Sequence, residues 1–129
     1  MRDMLLLIGR ILLAAIFVIS GITKFYALGA TAGYIASKGL PVAWLLAPVS
    51  AIVEVALGLA VIAGFKTRWA AAALALFSLL TIPFFHDFWN MTDPDRSMNQ
   101  IQAMKNIAMA GAFLVLMAAG AGRLAVERD

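Results

Sequence analysis

Six side chains could do chemistry inside an otherwise apolar sequence: Arg10, Lys24, Glu54, His86, Lys105 and Asn106. Glu54 is the most demanding. It is the one charged residue of the stretch PVAWLLAPVSAIVEVALGLAVIAG, residues 41–64. At about 1.5 Å of rise per residue such a stretch crosses a bilayer. A carboxylate at that depth costs at least about 3 kcal/mol unless it is paired, protonated or placed in a polar cavity. Counted from the same membrane side, Arg10 lies about 9 Å and Glu54 about 15 Å deep, a gap that a guanidinium on its long stem covers. The spacing therefore predicts an intramembrane Arg10–Glu54 ion pair. Such a pair reads equally as a device fixing helix register or as part of a site.

Lys24, His86, Lys105 and Asn106 fall within about two turns of the opposite surface and predict a second polar layer. Lys24 alone also reads as a lysine snorkelling to the interface, and His86 as an interfacial residue. Lys105 is harder to dismiss. Gln102, Lys105, Asn106 and Met109 recur at helical spacing, so the polar stripe runs inward past it. Two donors a head group apart, in a slot that admits an apolar tail, suit a quinone. Phe84, Phe85 and Met109 stand close enough in sequence to wall it, and cationic donors would stabilise a reduced, anionic head group. His86 with Asp87 and Asp93 is a weak pattern for a metal, and no metal site is expected. The spacing of Met98, Met104 and Met109 makes no copper site. No phosphate-cradling glycine loop, nucleophile elbow or dinucleotide fingerprint is present.

The elements that must position these residues follow from composition. The chain has 129 residues, 64% of them hydrophobic and 13% charged, against roughly 25% charged in a soluble domain. A chain this short cannot bury that excess in water, so an integral membrane protein of one domain, residues 1–129, is expected. The net charge of +3 comes from scattered basic residues rather than a clustered face, which argues against nucleic acid. With no cysteine the chain has no disulfide, thiolate metal site or thiol relay of its own, and one histidine excludes bis-histidine haem in a single copy. Arg10 interrupts the first apolar run and no A-x-A site follows, so that run reads as a retained helix rather than a cleaved leader.

Four apolar spans stand out, at about 4–23, 42–64, 69–85 and 101–119. They predict an all-α, antiparallel four-helix bundle in the membrane. Four crossings put both termini on one side with Arg2, Lys66, Arg68, Arg123 and Arg128, and by the positive-inside rule that side is cytoplasmic. Trp44, Trp69 and Trp89 fall at span ends, where indoles favour the interface. In the first outer loop, residues 30–38 predict a short interfacial helix stopped by Gly39. The tight turn at residues 64–68 makes spans two and three antiparallel neighbours. Pro83 is expected to bend the third span just before His86, and residues 86–100 form the most polar loop, expected to be mobile. On the second span Ala47, Ser50, Ala51, Glu54 and Gly58 share a face of mostly small residues that should look into the bundle.

These stretches resemble the DoxX family of small four-helix membrane proteins, in particular its YqjF-like bacterial inner-membrane branch. The resemblance rests on GRILLAAIFVISGITKF, GLPVAWLLAP, IVEVALGLAVIAGFKTR, FFH, MKNIAMAGAFL and GAG, which occur in family order along nearly the whole chain. Ala125 and Glu127 depart from the Ser and Asp frequent in relatives. The resemblance implies a bacterial inner-membrane protein, loosely assigned as an oxidoreductase. Some relatives look like membrane subunits of thiosulfate:quinone oxidoreductases, or partners of enzymes handling oxidative and thiol stress. It therefore implies a redox-system subunit that binds quinone or a similar apolar ligand, with a soluble or membrane redox partner. The sequence supplies no redox group of its own. A non-catalytic anchor or scaffold for a soluble partner remains open, as do a small-molecule transporter and a homo-oligomer.

Overall fold

The computed structural model describes residues 1–127. Arg128, counted above on the side of the termini, lies outside the described residues. Among those described there are five α-helices and one short 3-10 turn: α1 Arg2–Tyr26, α2 Leu28–Ser37, α3 Ala43–Ala63, α4 Thr67–Phe85, the turn Phe88–Asn90 and α5 Asp95–Ala119. Four of the helices, α1, α3, α4 and α5, are long and apolar enough to cross a membrane. The expected all-α four-helix bundle is the observed fold, and α2 is the expected short helix in the first connection.

The element ends follow local chemistry. Gly39 adopts φ +80° just after α2, a conformation open to glycine without strain. Gly64 ends α3 at φ +77°, its N–H bonded back to Ala60 O and Val61 O. Pro83 sits in the last turn of α4, two residues before that helix ends at Phe85. The polar loop is shorter than expected, because α5 begins at Asp95 rather than near Ile101. Its first turn is held by Asp93, whose carboxylate accepts from the Ser97 hydroxyl and the Ser97 N–H. Those two bonds, the hydroxyl's first, hold the Asp93 carboxyl below its usual pKa. Local side-chain bonding of this kind starts a helix that apolar patterning cannot detect.

Packing divides the bundle into two tight pairs, α1 against α3 and α4 against α5, with a thinner α3–α4 contact between them. Small residues make the first pair close. A Cβ on Gly21 would stand 2.6 Å from Val55 Cγ2 and 2.8 Å from Ala51 O, and one on Gly58 would stand 2.8 Å from Val18 Cγ2. In lipid, where no hydrophobic force drives helices together, such backbone approach supplies the attraction. The core fills the half of the bundle nearer the termini: Phe17, Val61, Leu74, Phe113 and Leu116 are its larger members, with alanines between them. Phe17 bridges the two pairs edge-on, 6.4 Å from Phe77 and 5.5 Å from Phe113 between ring centres.

Candidate functional site

Beyond that aromatic layer, in the half farther from the termini, the bundle is hollow. A cavity of ≈ 580 Å³ is lined by residues from all five helices. Phe17 and Phe77 border it on the core side, and Tyr34 and Ile35 of α2 line it as well. Its polar groups are few: the Lys24–Glu54 pair, Ser50, Ser78, Thr81, Asn106 and His86 are the principal ones. Ile16, Leu80 and Phe84 line the cavity while being 52%, 49% and 47% exposed, so part of its lining is also outer surface.

The register of α1 on α3 decides which charges meet. Gly21 lies against Ala51 and Val55, which brings Lys24 within one turn of Glu54, and its Nζ forms a short ion pair with Glu54 Oε1. The lysine snorkels inward, its side chain 27% exposed and that of Glu54 4%. It also stands 5.9 Å from the centre of the Phe77 ring, an electrostatically favourable position for an ammonium. Glu54 thus takes its cation from Lys24 and not, as the depth count had it, from Arg10.

Arg10 is buried elsewhere. Its Nη1 donates to Val61 O at 3.3 Å and Ile62 O at 2.9 Å, and its Nη2 donates to Leu124 O. Those α3 carbonyls lie about 11 Å further along the helix than Glu54. They belong to its C-terminal end, where partial negative charge favours a cation. Arg10 therefore clasps the end of α3 to the C-terminal tail. The tail is held further by Val126 N–H to Ala63 O at 2.9 Å, Glu127 N–H to Gly64 O at 3.1 Å and Arg123 N–H to Asp3 Oδ1 at 3.0 Å.

The second polar layer is assembled in part. Lys24, His86 and Asn106 all line the cavity. His86 Nδ1 lies 2.9 Å from Asn99 Oδ1, and Asn106 Nδ2 donates to Thr81 Oγ1 at 2.8 Å. Lys105 departs from expectation: it is exposed and absent from the lining. The buried face of α5 is set by Ala103, Asn106, Ala110 and Phe113, a phase that turns Lys105 away from the interior.

Two contributors escaped the sequence reading. Ser78 is 2% exposed, and its Oγ is buried without a hydrogen-bond partner among the described residues. Thr81, one turn on, receives the Asn106 amide and donates to Ser78 O at 2.8 Å. The only signal was a serine and a threonine three apart in an apolar helix. It is weak, because such hydroxyls commonly bond back to their own helix.

Four helices long and apolar enough to cross a membrane, with a polar-tipped cavity between two helix pairs, define a small integral membrane protein with a hollow in its bundle. The chain belongs to the DoxX family, whose profile matches residues 5–87. It is 36% identical over 127 residues to the inner membrane protein YphA of Escherichia coli (strain K12), covering 98% of this chain and 91% of that one. It is 32% identical over 128 residues to the inner membrane protein YqjF of the same organism, covering 99% and 93%. No solved structure matches the chain.

Proposed function

We propose that this protein holds an apolar ligand of the quinone class within the bundle, as the ligand-binding membrane subunit of a redox system whose electron carriers reside in a partner protein. The observation that carries this reading is the cavity: ≈ 580 Å³, with apolar and aromatic walls and a few convergent polar groups. Binding pockets for small molecules run from about 300 to 1,000 Å³ and have this composition. The residues fit such a ligand. Phe77, Phe84 and Phe85 offer faces for a flat ring, Lys24, His86 and Asn106 offer polar contacts to ring oxygens, and the exposed lining at Ile16, Leu80 and Phe84 would let a tail pass into lipid. When bound, a quinone would supply the electron-accepting chemistry that the side chains lack. This chain's part is to hold the ring, orient its oxygens and keep water away.

The packed Phe17–Phe77–Phe113 layer speaks against a continuous polar path and hence against a transporter. The test is binding to the purified protein in nanodiscs, using a short-tailed ubiquinone analogue. Wild type should bind, and Ser50→Leu, which fills the cavity from a half-buried position, should not. Lys105→Met, outside the lining, should bind as wild type does. Failure of wild type to bind the analogue at saturation in either its oxidised or its reduced form would overturn the reading and leave the anchor or scaffold in its place.

A further inference from the structure

The polar end of the cavity contains more than donors. Glu54 is 3% exposed, and while its Oε1 is taken by Lys24, its Oε2 is buried with no hydrogen-bond partner among the described residues. Ser78, 2% exposed and on the facing helix α4, has its Oγ in the same condition. Both residues line the cavity. A buried carboxylate oxygen can only accept, and leaving it unsatisfied costs more than an ordinary hydrogen bond returns. A hydroxyl such as Ser78 can both donate and accept.

We infer that the site selects a ligand whose head group carries a hydroxyl, a phenol or quinol rather than the oxidised quinone. The ligand hydroxyl donates to Glu54 Oε2 and accepts from Ser78 Oγ or the Lys24 ammonium. A quinone carbonyl accepts only, so it serves Lys24 and Ser78 but leaves Glu54 Oε2 unmatched. A methyl ether has the same deficiency. The charges agree with a neutral head group. Lys24 and Glu54 already compensate each other, so a cationic ligand would compete with Lys24 and an anionic one would face the Glu54 carboxylate. The aromatic walls at Phe17, Phe77, Phe84 and Phe85 suit a flat ring carrying that hydroxyl.

This inference rests on the proposed binding role and narrows it. Sites built to hydrogen-bond a ligand hydroxyl reject analogues without one, because their own polar groups are then left unpaired. The experiment compares three probes of equal tail length on wild-type protein in nanodiscs under anaerobic conditions: a short-tailed quinol, its dimethyl ether and the corresponding quinone. The expected result is binding of the quinol at least about tenfold tighter than the ether or the quinone, the discrimination that one well-placed hydrogen bond provides. Glu54→Gln together with Lys24→Met, which removes the carboxylate and its counter-ion at once, should bring the three affinities within about twofold of one another. Equal affinity of wild type for all three overturns the inference and leaves the binding role intact. Binding of none overturns both. If the double variant does not fold, Ser78→Ala is used, and it should narrow the wild-type preference. The wild-type comparison decides in either case.

Discussion

Lys24 of α1 and Glu54 of α3 pair across the glycine-lined seam between their helices, and the ammonium also stands 5.9 Å from the centre of the Phe77 ring on α4. One lysine thereby ties together both helix pairs at the border of the cavity. Removing it strands a carboxylate in a low-dielectric site. Lys24→Met is expected to cost about 3 kcal/mol, and Lys24→Met with Glu54→Gln distinctly less, since the second change removes the stranded charge. Thermal unfolding of the two single variants and the double in one detergent measures the coupling. Strict additivity would mean that the two side chains do not interact.

The seam itself gives a second expectation. At Gly21 an added Cβ meets a backbone carbonyl, Ala51 O, at 2.8 Å, and a carbonyl within a helix cannot move aside cheaply. Gly21→Ala should therefore destabilise by about 1–3 kcal/mol, the usual penalty of overpacking. Gly111 on α5 has nothing within 4 Å of its Cβ position, so Gly111→Ala is the control and should leave the melting temperature unchanged or slightly raised. A neutral Gly21→Ala would refute close α1–α3 packing.

A third expectation concerns the tail. Arg10 spans two α3 carbonyls and Leu124 O with a planar fork that lysine lacks. Arg10→Lys should consequently fail to restore what Arg10→Met loses. In both, amide exchange at Val126 and Glu127 should speed up by at least about tenfold, while the amides of α5 stay protected. Unchanged exchange at the tail amides would show that Arg10 does not hold it.

Orientation supplies the fourth. The basic residues Arg2, Lys66, Arg68 and Arg123 gather at the end of the bundle that carries the termini, so that end is expected to face the cytoplasm. Reporter fusions at the C-terminus and between Asp93 and Asn99 should give opposite readings, with the C-terminus inside. The reverse result would put the cavity on the cytoplasmic side.

Much of the architecture is legible in the sequence, because hydropathy and length are properties of single helices. The four spans, the short helix closed by Gly39 and the small-residue face of α3 all follow from it. What escaped was relational. The depth of Arg10 can be counted along its own helix, but its partner depends on how α1 slides along α3, and Gly21 and Gly58 set that register. The same slide made Lys24, expected in the outer polar layer, the counter-ion of Glu54 as well. Lys105 escaped for a rotational reason. It shares a stripe with Asn106 on paper, yet the alanines of α5 fix a phase that buries one and exposes the other. Nor could Ser78 be singled out, since its orphaned hydroxyl has meaning only beside the cavity.

The division into two helix pairs has a mechanical consequence. The chain crosses from one pair to the other at the α3–α4 connection, beside the thinner contact between them. That connection is the short turn from Gly64 to Lys66, where φ is +77° at the first residue and +47° at the last. The C-terminal tail is bonded to that turn through Gly64 O and through the Lys66–Glu127 pair at 3.6 Å. The tail thereby braces the link between the two pairs, at the end of the bundle opposite the cavity.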